Sequence, residues 1–181
     1  MNIILLHGMS CRLEDCWKEY IVNLAKELNI QFFAPACPLN EDITLKNWFE
    51  DVDKFKNSIN TETVFICHSL STNFIVKYLA KSNLKAKAII SVAGGLASKD
   101  RMKYLKDFIF TKKEAQYVVD NIKHRYNIFS NNDNIWTKEE IQNYCYALQT
   151  QNIIVDGAGH FGRRSGVKEI PEIKEIIKNI N

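Results

Sequence analysis

Short runs of β-branched and aromatic residues alternate with longer stretches whose apolar residues recur at helical spacing, from one end of the chain to the other. Strands buried on both faces read as continuous apolar runs, and parallel strands need long crossovers between them. The alternation therefore predicts an α/β three-layer sandwich: a mostly parallel sheet with helices on both faces. Strands are expected at residues 2–6, 31–34, 63–67, 86–92, 126–129 and 151–155, about six in all.

The connections carry helical signals. Trp17, Ile21, Leu24, Ala25 and Leu28 make one buried stripe, and Leu45, Trp48, Val52 and Phe55 make another. Thr111 with Glu114 and Thr137 with Glu140 have capping-box spacing, in which hydroxyl and carboxylate satisfy free backbone N–H groups reciprocally. A last helix sets Ile170, Ile173, Ile176, Ile177 and Ile180 on one side, with Pro171 in its first turn, where a missing N–H costs nothing. Residues 94–110 are too long for a simple crossover and hold Tyr104, Phe108 and Phe110, so a small flap insertion is expected there.

Composition narrows the class. The 181 residues fit a single domain, 1–181, with enough chain to bury a core without disulfides or metal. A net charge of +3, with Lys and Glu scattered over helical patterns, gives no reason to expect nucleic acid or an anionic membrane surface. Met1 runs straight into the apolar residues of the first strand with no basic leader, and no apolar stretch approaches membrane-spanning length, so a cytoplasmic protein is expected. Cys11, Cys16, Cys37, Cys67 and Cys145 are odd in number and lack metal or disulfide spacing, which reads as reduced, mostly buried thiols.

Chemistry is expected just beyond the carboxyl ends of the strands. Four segments qualify: His7-Gly8-Met9, Cys67-His68-Ser69-Leu70-Ser71, Ser130-Asn131-Asn132-Asp133 and Gly157-Ala158-Gly159-His160-Phe161. In the second, a strand breaks into Ser69 and a helix follows at once, the setting in which a serine hydroxyl projects from a sharp turn toward a base. By itself Ser69 also reads as a helix N-cap. Asp133 alone reads as a turn former, and His160 alone as a solvated loop residue. Their order along the chain, Ser69, Asp133, His160, is that of a serine triad built on a parallel hydrolase sheet, and it favours Ser69 as nucleophile.

On Ile4-Leu5-Leu6-His7-Gly8, Ile66-Cys67-His68-Ser69-Leu70, Asp133 and Gly159-His160-Phe161, the chain resembles the α/β-hydrolase superfamily, and within it the small lidless serine hydrolases related to retinoblastoma-binding protein nine. Trp48 and the Gly-His-Phe ending carry the narrower likeness. The resemblance implies a minimal α/β-hydrolase fold and a carboxylesterase-like serine hydrolase that cleaves a small ester, thioester or amide. Ser69 would attack, His160 would move the proton, Asp133 would hold the imidazole, and the backbone N–H groups of Met9 and Leu70 would receive the oxyanion. Two departures stand out: Cys67 and Ser71 replace the elbow glycines, and Asn134 replaces a frequent proline.

His7 and His68 flank the same site and are expected to orient its loops, while Trp136, Phe108 and Phe110 fit the wall of an acyl pocket as well as plain packing. Cys67 is the rival nucleophile, but its strand-end position suits a buried inert thiol. Asp156 ranks below Asp133, Asp120 sits in a helix, His124 precedes a strand on the far rim, and Arg163 and Arg164 read as a solvated loop. No cofactor and no metal are implied. The partner expected is a small-molecule acyl substrate; a protein partner is not indicated. The other reading left open is a protein-interaction module on a hydrolase scaffold, encouraged by the substituted elbow. Acyl transfer to an acceptor other than water would use the same residues.

Overall fold

A computed structural model describes residues 1–9, 17–39, 43–98, 101 and 103–181. Six strands, β1 (Asn2–Leu6), β2 (Gln31–Phe33), β3 (Thr63–His68), β4 (Ala88–Val92), β5 (His124–Ser130) and β6 (Gln151–Val155), form one sheet in the order β2-β1-β3-β4-β5-β6. Every pairing is parallel. Among the described residues, six α-helices connect or follow them: α1 (Lys18–Glu27), α2 (Leu45–Asp53), α3 (Leu70–Ser82), α4 (Lys112–Asn121), α5 (Lys138–Leu148) and α6 (Pro171–Ile180).

Successive side chains of a strand point to opposite faces, and the core divides accordingly. Ile3, Leu5, Val64, Ile66, Ala88, Ile90 and Ile128 pack on α1 and α6. Ile4, Leu6, Phe65, Cys67 and Ile89 pack on α2, α3, α4 and α5. These central strands are mostly apolar because both faces are covered, and each fully buried apolar side chain contributes roughly 1.5–3 kcal/mol.

The register draws Leu6, Cys67, Ser91, Asn127 and Asn152 into one row across the sheet. β3 runs only one residue past that row, whereas β5 and β6 run three residues past it to the pair Ser130 and Val155. The carboxyl edge thus climbs toward β5 and β6, and their loops stand over the end of β3.

The expected stripes of α1, α2 and α6 face the core, with Leu28, Leu45 and Phe55 half-buried and the rest buried, and both capping boxes are formed. Some boundaries shift. β4 begins at Ala88 rather than residue 86, Phe55 lies past the end of α2, and Ile170 is the N-cap of α6 with Pro171 as its first helical residue. His124 opens β5 instead of preceding it, at the rim opposite the carboxyl ends.

The described part of 94–110 is anchored in the core at both ends. Gly94, Gly95 and Ala97 are buried at one end, and Phe108, Ile109 and Phe110 at the other, with Tyr104 fully exposed between them. Lys77, buried on α3, donates from Nζ to the Ile109 carbonyl at 3.0 Å, which fixes the returning end. Residues 99, 100 and 102 lie outside the described residues, as do Cys11 and Cys16. Among the described residues, no helix is long and apolar enough to cross a membrane.

Candidate active site

Ser69 occupies the single residue between β3 and α3, with φ 55° and ψ −116°. A non-glycine residue in that region costs on the order of 1–3 kcal/mol and persists only where its surroundings enforce it. Here the enforcement is burial: all six residues of β3 and Leu70 through Leu79 of α3 are buried. Ser71 adds hydrogen bonds of its own, one accepted and one donated. Its hydroxyl oxygen accepts from the His68 N–H at 2.8 Å and lies 2.9 Å from the carbonyls of both Leu6 and His68, tying the elbow to β1. A glycine there would supply none of these, so the departure from the usual elbow adds a polar brace. Gly8 is needed for a different reason. A Cβ on Gly8 would come within 3.0 Å of the His68 ring and 3.1 Å of the Ser69 Cβ, because the loop after β1 presses against the elbow.

The structure brings Ser69, His160 and Asp133 together. The Ser69 Oγ lies 2.8 Å from His160 Nε2, and His160 Nδ1 lies 2.8 Å and 3.0 Å from the two Asp133 carboxylate oxygens. Because a carboxylate only accepts, Nδ1 carries the proton and Nε2 is left to accept from the serine hydroxyl. Asp133 Oδ1 also accepts the N–H groups of Ile135 at 2.8 Å and Trp136 at 3.0 Å. Burial raises the Asp133 pKa, but the His160 hydrogen bond and charge, helped by those two N–H groups, outweigh it and hold the carboxyl below its ordinary value.

The residues ahead of Asp133 do more than form a turn. Asn131 Oδ1 accepts the Gly157 N–H at 3.1 Å, Ser130 Oγ the Ala158 N–H at 3.0 Å, and Asn132 Oδ1 the Gly159 N–H at 2.8 Å. Four consecutive side chains of one loop therefore hold four consecutive residues of the other, ending on the His160 ring. The Ser-Asn-Asn-Asp run was visible in the sequence; which backbone it would grip was not, because the grip depends on β5 and β6 being neighbours.

Residues 3–179 match the family described as "Serine hydrolase". The chain belongs to that family. This serine hydrolase is 20% identical to the Bacillus subtilis (strain 168) protein YdeN over 178 residues, covering 97% of this chain and 94% of the relative. The crystal structure of that ydeN gene product superimposes with a TM-score of 0.88, at 19% identity and covering 99% and 97% of the two chains. A YdeN-like hydrolase from Pectobacterium atrosepticum gives 0.74, with 13% identity and 99% and 89% coverage. The carboxylesterase CesB of B. subtilis gives 0.64, with 14% identity and 99% and 82% coverage. The likenesses between structures establish the α/β-hydrolase fold.

Other residues of the hydrolase sort by what they touch. Trp136 is buried with its ring 6.3 Å from that of His160, and its Nε1–H donates to the Ala93 carbonyl at 2.8 Å. It packs so closely on Gly95 that a Cβ there would fall 2.4 Å from the indole. His7 lies with Nδ1 2.6 Å from the Gly8 carbonyl and Nε2 2.9 Å from that of Cys37, its ring edge-on to Trp48. Met9, in the loop after β1, is 44% exposed, and Leu70 opens α3, whose first N–H groups lack intrahelical partners.

Phe108 and Phe110 go elsewhere. Phe108 meets Trp48 and Phe74, and Phe110 meets Tyr144, so both rings are spent on the core and leave little face for a substrate. Burial pushes the Cys67 thiol well above its ordinary pKa, as expected of an inert strand-end cysteine, and raises that of Cys37 to about 12. Asp156 is exposed and accepts from the Asn131 side chain rather than from His160, Asp120 pairs with Gln116 on α4, and Arg163 and Arg164 are exposed. Trp17 is a residue that sequence reasoning assigned to a helix stripe alone. Its indole N–H reaches across to the Phe161 carbonyl at 3.1 Å, a contact that no local pattern announces.

Proposed function

We propose that this hydrolase is a carboxylesterase-like enzyme that cleaves a small ester, thioester or amide through an acyl-enzyme on Ser69. The observation that carries the reading is the unbroken chain from Ser69 Oγ through His160 to Asp133, with 2.8 Å at each link. His160 Nε2 takes the hydroxyl proton as the oxygen attacks the substrate carbonyl, and Asp133 keeps the imidazole oriented and stabilises its charged form. The tetrahedral oxyanion is received by the backbone N–H groups of Leu70, at the positive end of α3, and Met9. The same proton then passes to the leaving group, the acyl group stays on Ser69, and water activated by His160 releases it.

Trp136, with its ring 6.3 Å from that of His160, stands beside the reacting groups. The interaction-module reading drew on the substituted elbow; the bonds made by Ser71 supply a structural reason for that substitution. Turnover of a panel of short-chain p-nitrophenyl esters tests the proposal. Measurable hydrolysis by the parent protein, reduced about 10⁴-fold or more in Ser69→Ala and His160→Ala, is the expected result. No hydrolysis across the acyl series, or hydrolysis that survives Ser69→Ala, overturns it.

A further inference from the structure

The loop that carries His160 is bent hard. Gly159 has φ 55° and Phe161 φ 54°, the second a left-handed conformation that a bulky residue adopts only under constraint. Two aromatic N–H groups from distant parts of the chain supply that constraint. His68, the residue before the nucleophile, donates from Nε2 to the His160 carbonyl at 2.8 Å, and Trp17, just before α1, donates from Nε1 to the Phe161 carbonyl at 3.1 Å. The two donor rings brace each other edge-to-face, with centroids 5.9 Å apart and an interplanar angle of 83°. Both side chains are buried, at 4% and 2% exposure.

We infer that His68 is a positioning residue for the base, a neutral strut that fixes the His160 main chain to the nucleophile strand, with Trp17 as its second jaw. The inference rests on the proposal that His160 is the base. Its logic lies in connectivity: Ser69 and His160 are 91 residues apart in sequence, yet through His68 the backbone of one is a single hydrogen bond from the backbone of the other. A displacement of about 1 Å between the two groups can cost about a hundredfold in rate, so such a link has kinetic value beyond stability.

The chemistry specifies the tautomer. A carbonyl only accepts, so His68 must hold its proton on Nε2, which leaves Nδ1 bare toward Gly8. The ring faces His160 at 5.4 Å, and among the described residues Asp133 and His7 are the other titratable groups near it. Burial, followed by the charge of His160, lowers its pKa to about 4. The strut therefore stays neutral while His160 gains its proton during each acyl transfer, and no second cation forms beside it.

The test compares His68→Phe, which keeps a ring but has no donor, with His68→Gln, which restores one. Ester turnover by the full chain is expected to show kcat about 10- to 100-fold lower in His68→Phe with KM within about twofold, and most of that loss recovered in His68→Gln. A cooperatively folded His68→Phe with the parent's kcat, a glutamine variant no better than phenylalanine, or a change confined to KM overturns the inference. Imidazole nitrogen NMR on the parent protein needs no variant to fold: His68 is expected as the neutral Nε2–H tautomer from pH 5 to 8, and a titration in that range or the Nδ1–H tautomer overturns it. A parent protein inert to esters and to fluorophosphonate would instead sink the esterase proposal itself. An active parent indifferent to His68→Phe sinks only the strut.

Discussion

The elbow and the base loop solve one problem, holding a reactive group still, by opposite means. Ser69 sits in the middle of the sheet, between a strand and a helix segment that are buried residue by residue. His160 hangs from β6, the edge strand, where Gln151, Asn152 and Ile154 are exposed, the last at 62%. Burial in the core, with the Ser71 brace, fixes the first group. The second is held by borrowed polar contacts: the Ser130–Asp133 side chains on one side, His68 and Trp17 on the other. Substitutions near the elbow should therefore register mainly as stability, and substitutions around the base loop mainly as rate.

The largest expected departure is on the polar side. Asp133→Asn keeps an oxygen to accept the Ile135 and Trp136 N–H groups but loses the charge and can misorient the imidazole, so kcat should fall about 10²- to 10⁴-fold. Turnover measured alongside thermal melting checks this, and a parallel loss of stability of the same size would erase the contrast.

Next in size is a pH effect centred on the contact between the two regions. The His68 pKa drops from 6.5 to about 4 on folding. Between those values the unfolded chain takes up a proton that the folded chain refuses, so this contribution is complete above pH 6.5 and is lost as the pH falls toward 4. It is on the order of a few kcal/mol. The Asp133 carboxyl, held below its ordinary value, contributes above the unfolded carboxylate range and fades only at lower pH, outside this window. Urea unfolding at pH 4.5 and 6.5 should show a steeper decline in the parent than in His68→Gln; equal slopes would remove His68 from the account.

Ser71→Ala should cost about 1–3 kcal/mol, because it strands the buried His68 N–H and frees the elbow from β1. Denaturant midpoints measure it, and the glycine of the usual elbow should not restore the loss. The smallest effect belongs to the sheet edge. Ile154→Lys, on an exposed strand face, should lie within about 0.5 kcal/mol of the parent, and a larger change would mean that β6 is covered in solution.

The same contrast governs what could be read from the residues alone. The sheet, its parallel order and the strand-to-helix break at Ser69 follow from hydrophobic runs and helical spacing, which are local signals. Asp133 and His160 were found through their order after strands, a weaker and longer-range clue. The bonds of Asn131 and Asn132 to the glycine loop, the reach of Trp17 to Phe161 and the brace at Ser71 left no pattern, since each joins elements that only folding makes neighbours. Phe108 and Phe110 show the converse: their sequence fitted a pocket wall and plain packing equally, and only the fold shows that Trp48, Phe74 and Tyr144 pack against them in the core.

The central claim is that Ser69 is the nucleophile, and intact-mass measurement after treatment with a fluorophosphonate probe tests it most directly. One adduct should form per chain, map by peptide sequencing to Ser69, and be absent from a folded Ser69→Ala variant. Equal labelling of that variant and the parent, or an adduct on any other residue, would contradict the account.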